Sequence, residues 1–241
     1  MKNIMNLYKL RMMLVLKSSI LIVPTIAVLA FLEIMYSFPP VEVSGSFLIS
    51  GLFLFVLCAY IAMSIQIKEN DVQEEIFLLH SKSELGYYMS REMILVTISL
   101  FYAIVIIVFP IIKLVMRPNL FSRPLEIRDI IFGGLLIIGS GFLGVSLGDI
   151  FHHRIFVRKR EMLTGLIFVS VVAACKIPII EKFSFLWFIN IICPPIVDGL
   201  EMVADTDVFS PTGTLLIFLH MIIYVAVVMF VKIKLLMNRK Y

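Results

Sequence analysis

Hydrophobic and polar positions along this chain fall into long blocks, not short alternations. Six apolar stretches stand out: Ser18–Tyr36, Phe47–Ile67, Met93–Val115, Ile130–Ile150, Met162–Ile180 and Thr214–Val231. Each approaches the length of a bilayer-crossing helix, and none shows the period-two pattern of a membrane β-strand. The pattern predicts an all-α membrane protein with six transmembrane helices. Pro24, Pro110 and Pro178 fall inside three of the stretches, where neighbouring helices can satisfy freed backbone groups, so kinks are expected there and not breaks. Residues 18–241 then form one six-span domain, preceded by an arm over residues 1–17.

Composition excludes the ordinary alternative. Of the 241 residues 61% are hydrophobic and 16% charged, with a mean hydropathy of +1.03. A water-soluble enzyme has nearer a quarter of its residues charged. Six spans consume about 120 residues, which leaves no room for a large soluble domain. The net charge of +4 is too small to argue for a nucleic-acid partner.

The placement of the basic residues sets an expected orientation. One side collects Lys2, Lys9, Arg11 and Lys17 of the arm, Lys68, Lys82 and Arg91 of the second loop, Arg154, Arg158, Lys159 and Arg160 of the fourth, and Lys232, Lys234, Arg239 and Lys240 of the tail. The other side has Lys113, Arg117, Arg123, Arg128, Lys176 and Lys182. Fifteen against six puts both termini in the cytoplasm, with the third loop the weak point of the count. No cleavable signal is expected, because no small-residue cleavage site follows the first apolar run. In the arm, Ile4, Leu7, Tyr8 and Leu10 alternate with Lys9 and Arg11, which fits a helix lying among headgroups and equally a topogenic anchor.

Two connections carry most of the information. The second loop, Lys68–Glu92, reads KENDVQEEIFLLHSKSELGYYMSRE. Asp71-x-x-Glu74 and Ser81-x-x-Glu84 both have capping-box spacing, predicting two short helices with a turn near His80–Ser83. Val72, Ile76 and Leu79 share one face of the first helix, with Glu74 and Glu75 alongside. Six acidic residues against three basic make an anionic lipid surface the poorer cover for that face and a soluble protein partner the better one. The outer segment Glu181–Gly213 contains Phe183–Ile192, about 15 Å of helix, half a hydrocarbon core, before Cys193-Pro194-Pro195. Either it re-enters the membrane and lines an outer mouth, or it lies in the interface anchored by Trp187.

With these elements in place the chain resembles a permease subunit of the ABC-2 class, the membrane half of type II ABC exporters. Family members carry an acidic turn with Glu, a Leu-Leu pair, a Ser-containing turn, an aromatic and a basic residue as the third span begins. Glu75, Leu78-Leu79, Ser81, Tyr87-Tyr88 and Arg91 fall at those places, with His80 where the family has Pro. The resemblance implies an N-terminal connecting helix over 1–17, a coupling helix in the 68–92 loop and a re-entrant outer segment over 181–213. Val72, Glu74, Glu75, Ile76, Leu78, Leu79, Ser81 and Arg91 would then couple to a separate ATP-binding subunit. ATP and magnesium would be bound there, since this chain has no G-x-x-x-x-G-K-[ST] loop and is not expected to be an enzyme. A second permease subunit, identical or not, would complete the unit. The resemblance also places spans two and five on the cargo path, nominating Phe53, Phe55, Tyr60, Phe168 and Val171, with Phe185, Trp187, Pro194 and Pro195 at an outer gate. Small permeases of this kind, in bacterial cytoplasmic membranes, export or expel amphipathic peptides such as toxins and antimicrobial peptides. Hydrophobic drugs and lipid-linked molecules are alternative cargoes.

Catalytic readings are weaker. Gly144-Val-Ser146-Leu-Gly148 matches G-x-S-x-G and His220 lies on the last span, which together resemble an intramembrane serine protease. Counting from the outer ends puts Ser146 about 24 Å deep and His220 about 9 Å deep, too far apart for a nucleophile and its base. Ser140, Gly144 and Gly148 recur every fourth residue, the spacing of a close-packing ridge. Glu74-Glu75 with His80 lacks the intramembrane setting and the following Arg of a CAAX-type metalloprotease. Adjacent His152-His153 point about 100° apart on a helix, and Cys58, Cys175 and Cys193 have no metal spacing, so no metal site is expected. Glu33, Asp149 and Lys176 lie at span ends, where they are expected to reach the interface. With no ionisable residue near mid-span, ion-coupled transport is disfavoured and an amphipathic or hydrophobic cargo favoured. A passive anchor that recruits a soluble partner is the remaining alternative.

Overall fold

The computed structural model of the chain describes residues 2–69, 71–81, 83–152, 158–183, 185, 189–199 and 207–238, with the side chains of 2, 3, 71–73, 80, 189, 191 and 238 excepted. These residues are helical apart from turns and one isolated bridge between Val41 and Phe121. In chain order the helices are α1 (Lys2–Lys17), α2 (Ile22–Met35), α3 (Val43–Lys68), α4 (Asp71–Ser81), α5 (Glu84–Met116), α6 (Ile127–Ile150), α7 (Lys159–Ala174), α8 (Lys176–Lys182), α9 (Ile189–Ile192) and α10 (Pro211–Asn238).

Four of these, α3, α5, α6 and α10, are long and apolar enough to cross a membrane. The count rises to as many as six if each of two bent pairs is one span: residues 4–17 with 19–35, bent by 61°, and α7 with α8, bent by 65°. The molecule is thus compatible with a multi-pass membrane protein, with the fifth apolar stretch built as a broken helix and the other break falling at Ser18, between the arm and the first apolar stretch. Proline accounts for the break between α7 and α8. Pro24 is the third residue of α2 and Pro178 the third of α8. A proline ring collides with the carbonyl four residues back and lacks an N–H for it. Four back from Pro178 is Ala174, where α7 stops, and four back from Pro24 is Ile20, in the 3-10 turn that joins α1 to α2. At Pro178 a break stands in place of the expected kink, whereas the helical run from Ser19 to Met35 continues through Pro24 and α5 runs unbroken through Pro110.

The centre of the bundle is the pair α3 and α6. Gly51, Phe55 and Ala59 on one helix meet Ser140, Gly144 and Gly148 on the other in matching order, so the two run parallel. A methyl at Gly144 or Gly148 would collide with the backbone carbonyls of Phe55 and Ala59. Absence of side chains there is what lets the helices approach, as a small-residue ridge requires. α10 lies parallel to α6 on another side, with Met221 against Gly139 and Lys232 against Asp149. α5 runs antiparallel to α6, with Ile107 near Gly134, Ser99 near Gly141 and Arg91 near Asp149. α2 parallels α5, joined by Thr25–Tyr102 at 2.9 Å and Glu33–Lys113 at 2.7 Å.

The bundle therefore has two distinct ends. α6 carries a fully buried carboxylate at each, Asp129 and Asp149, twenty positions and about 30 Å apart, a hydrocarbon thickness. At the Asp129 end α6 starts one turn earlier than the apolar pattern predicts, because Glu126 and Asp129 form a reciprocal capping box. Arg123 grips Asp129 with two hydrogen bonds of 2.7 and 2.9 Å and lies 3.3 Å from Asp207. Asp207, in the left-handed region at φ 47°, accepts in turn from the backbone and hydroxyl of Ser44 at 2.7 and 2.6 Å. One of the basic residues that weakened the orientation count is thus a clamp between loops.

Candidate functional site

At the Asp149 end, ionisable side chains from six elements meet out of water. The residue just past α3, Glu69, pairs with Arg11 of α1 and accepts a 3.2 Å hydrogen bond from the Tyr87 hydroxyl. Arg11 also donates to Tyr87 at 2.9 Å, and its guanidinium lies over the rings of Tyr87 and Phe77, 4.3 and 5.0 Å from their centroids. Arg91 of α5 stands at the centre: 3.2 Å from Asp149, 3.8 Å from Glu69 and 3.1 Å from Nε2 of His152. Arg91 only donates, so in that contact the imidazole nitrogen accepts. Glu74 of α4 lies 3.9 Å from the same nitrogen. Lys232 of α10 donates to Glu92 at 2.6 Å and also pairs with Asp149, which accepts from Gln66 of α3 as well.

Burial is nearly complete. Arg91 is 2% exposed, Lys232 1%, and Glu74, Asp149 and His152 0%. Removing charges from water costs several kcal/mol each unless partners offset it, so the pairs are mutually dependent. Burial alone would raise the Glu69 carboxyl, but Arg91 and Arg11, with hydrogen bonds from Arg11 and Tyr87, more than offset it and hold its pKa below the ordinary value. Asp149 is thus enclosed, which corrects the expectation that it reaches the interface. The same holds for Lys176, 2% exposed and paired with Asp198 beside the bend between α7 and α8. Glu33 alone of the three is exposed, with Lys113 as partner.

The helix α4 connects this network to the surface. Its turn into α5 is fixed by Ser81, which donates to the carbonyls of Leu78 and Ser83 at 2.8 Å, and by Ser83, whose hydroxyl accepts from Gly86 N–H at 3.1 Å. The N-cap of the second helix is therefore Ser83, two residues later than the Ser81-x-x-Glu84 spacing predicts, and that helix continues without interruption as α5. The faces of α4 also differ from expectation. Glu74 does not lie alongside Glu75; it points inward with Ser81, while Phe77 and Leu78 pack on Leu7, Tyr87, Tyr88 and Leu236. Glu75, Ile76 and Leu79 point outward, Ile76 47% and Leu79 82% exposed. Of the eight nominated coupling residues, three are thus on the surface, Glu74, Ser81 and Arg91 are inside, Leu78 is half-buried, and the Val72 side chain lies outside the described residues.

The other nominated groups are dispersed. Phe53 stacks on Phe31 of α2 at 4.0 Å between centroids, and Phe55 is fully buried against α6. Tyr60, Phe168 and Val171 are exposed, so the five do not line one cavity within this chain. Pro194 and Pro195 are buried, Phe185 is exposed, and Trp187 lies outside the described residues. Ser146 is 1% exposed and donates to the Leu143 carbonyl. The register of α10 on α6 leaves it about 12 Å along the bundle from His220. Among the described residues no three His, Cys, Asp or Glu side chains converge as metal ligands.

Glu69, Gln66 and Glu92 were not singled out by sequence reasoning, Lys232 entered only the charge count, and His152 was considered only as a metal ligand. The available signal was that three carboxylates, Glu69, Glu92 and Asp149, share a rim with the basic residues used for orientation. Set against family models, curated proteins and solved structures, the chain matches none of them.

Proposed function

We propose that this chain is the membrane-spanning permease subunit of an ATP-driven exporter of the ABC-2 class, working with a separate ATP-binding subunit and a second permease. The observation that supports this reading most is the two-sidedness of α4. Its outward face offers Glu75, Ile76 and Leu79 to a partner, while its inward face holds Glu74 beside the ion network that joins α1, α3, α5, α6 and α10. A push on such a helix is delivered to several helices at once. A helix held only by its loops would absorb it.

On this reading the α4 end faces the cytoplasm, as the basic-residue count favours, both termini lie there, and the membrane is a bacterial cytoplasmic membrane. ATP and magnesium belong to the partner. The exposure of Tyr60, Phe168 and Val171 fits a cargo path formed between two permeases and not within one. With charges held at the two ends of the bundle, the cargo is amphipathic or hydrophobic, a toxin or antimicrobial peptide being the first candidate. The test is Glu75→Arg, which reverses an exposed charge without touching the buried network. Loss of ATPase co-purification and of nucleotide-dependent transport, with normal membrane insertion, is expected. Unchanged pull-down and transport would overturn the assignment.

A further inference from the structure

Beside the ion network, α1, the turn that follows it, α3, α4 and α5 line an open-sided pocket of about 240 Å³. Its polar side is formed by Arg11, Lys68, Arg91 and Glu69, three cations against one carboxylate. The two arginines are 5% and 2% exposed, and Nη1 of Arg11 and Nε of Arg91 make no hydrogen bond. Buried N–H groups of a charged side chain are costly to leave without an acceptor. Lys68 is exposed at the rim, its ammonium 3.4 Å from the Ser19 hydroxyl. The remaining wall is aliphatic: Val15, Ile20, Ile65, Ile94 and Leu95, opening past Leu14, which is 47% exposed. The space is smaller than pockets that enclose a whole drug-sized ligand or nucleotide, and suits a compact head with a few methylenes. It lies at the level of Asp149, at one end of the roughly 30 Å of α6 that matches a hydrocarbon core.

We infer that this pocket binds the head of an anionic amphiphile, a lipid phosphate or a fatty-acid carboxylate, against Arg11, Arg91 and Lys68, with its first methylenes along the aliphatic wall. Basic pockets between membrane helices take acidic headgroups for the same electrostatic reason. Glu69 and Asp149 already pair with the two arginines, so what an anionic head meets is the Lys68 ammonium together with the unbonded N–H groups of Arg11 and Arg91. The inference rests on the chain lying in a bilayer and needs no ATPase, so failure of the exporter reading and failure of this one are separable.

The test is native mass spectrometry of the full chain purified in a neutral detergent. Palmitoyl-oleoyl phosphatidylglycerol, the phosphatidylcholine of identical chains, and oleate are added at equal concentration. One anionic molecule retained per chain, in preference to phosphatidylcholine, is expected. Phosphatidylglycerol alone identifies a lipid phosphate, oleate alone a fatty acid, and either supports the site. Lys68→Glu, at an exposed position, should lower retention about fivefold or more, the effect of a basic residue near an anionic head. Ile20→Trp, which fills the wall, should abolish it. Lys17→Glu, equally exposed but outside the pocket, should leave it unchanged. Equal retention of phosphatidylcholine, or a loss in Lys17→Glu as large as in Lys68→Glu, would overturn the proposal.

Discussion

Asp149 offers the sharpest test of the buried network, because it serves two cations and an amide from the end of α6. Asp149→Asn preserves shape and removes the charge. Withdrawing one member of a buried ion pair costs about 3–5 kcal/mol, since the survivor is left uncompensated. Here both survivors keep a second carboxylate. Lys232 retains Glu92 at 2.6 Å, a full hydrogen bond, whereas Arg91 retains Glu69 only at 3.8 Å. The loss should therefore fall at the low end, about 3 kcal/mol, and arise mainly at Arg91. Lys232→Met should cost more, about 4 kcal/mol, because it strips the ammonium from Asp149 and Glu92 together. In the double variant the direct pair is absent from both sides, so the two losses should fall short of additive by about 2 kcal/mol, within the range seen for contacting residues. The assay is equilibrium unfolding of the purified chain in mixed micelles, followed by far-ultraviolet circular dichroism for all four proteins. Asp149→Asn within about 0.5 kcal/mol of the parent, or strict additivity in the double variant, would refute a closed network at this position.

Three other outcomes follow from the same geometry. Gly144→Ala drives a methyl into the Phe55 carbonyl and should destabilise by about 1–3 kcal/mol, whereas Gly45→Ala, which meets only the mobile end of Glu42, should stay within about 0.5 kcal/mol; the micelle unfolding assay distinguishes them. Glu69 has a folded-state pKa below its unfolded value, so its stabilisation is complete above the unfolded value and disappears as pH falls through the lowered one. The gap in stability between the parent and Glu69→Gln should accordingly be full at pH 7 and close in acid; a gap that widens on acidification would contradict the pairing with Arg11 and Arg91. At the opposite end Arg123→Gln leaves fully buried Asp129 without its bidentate partner, and a loss of about 3–5 kcal/mol in the same assay is expected.

The long apolar helices were legible because a hydrophobic run of bilayer length has few other uses, and the small-residue ridge because its period of four is visible in the letters. The break between α7 and α8 was less so. A proline inside an apolar run is compatible with a kink or a break, and the letters alone do not distinguish Pro110, inside a continuous helix, from Pro178, just past a break. Buried charge was misread for a related reason. Asp149 and Lys176 lie at the ends of apolar runs, where side chains reach water by default, and only the arrival of Arg91, Lys232 and Asp198 from distant parts of the chain closes that route. Helical periodicity did put Ile76 and Leu79 on one face of α4. What periodicity leaves open is which flanking carboxylate points inward, and the structure answers that with Glu74 near His152.

Ion pairs of this kind do little for stability in themselves, because well-packed apolar residues of the same volume often serve as well or better. Ion pairs occur at both ends of the α3–α6 axis, but only around α4 do they gather from six elements, and that concentration asks for another account. Apolar contacts tolerate sliding, since one aliphatic neighbour substitutes for the next. Paired charges out of water do not, because each displacement that separates them exposes an uncompensated charge. A bundle whose spans meet through such pairs has a few discrete arrangements and not a continuum, and a ligand or partner that favours one of them shifts the whole end together. On the exporter reading α4 receives that bias from the ATPase. Arg11, Glu69 and Arg91, which belong both to the network and to the pocket beside it, would allow an anionic amphiphile to bias the same arrangement from within the membrane.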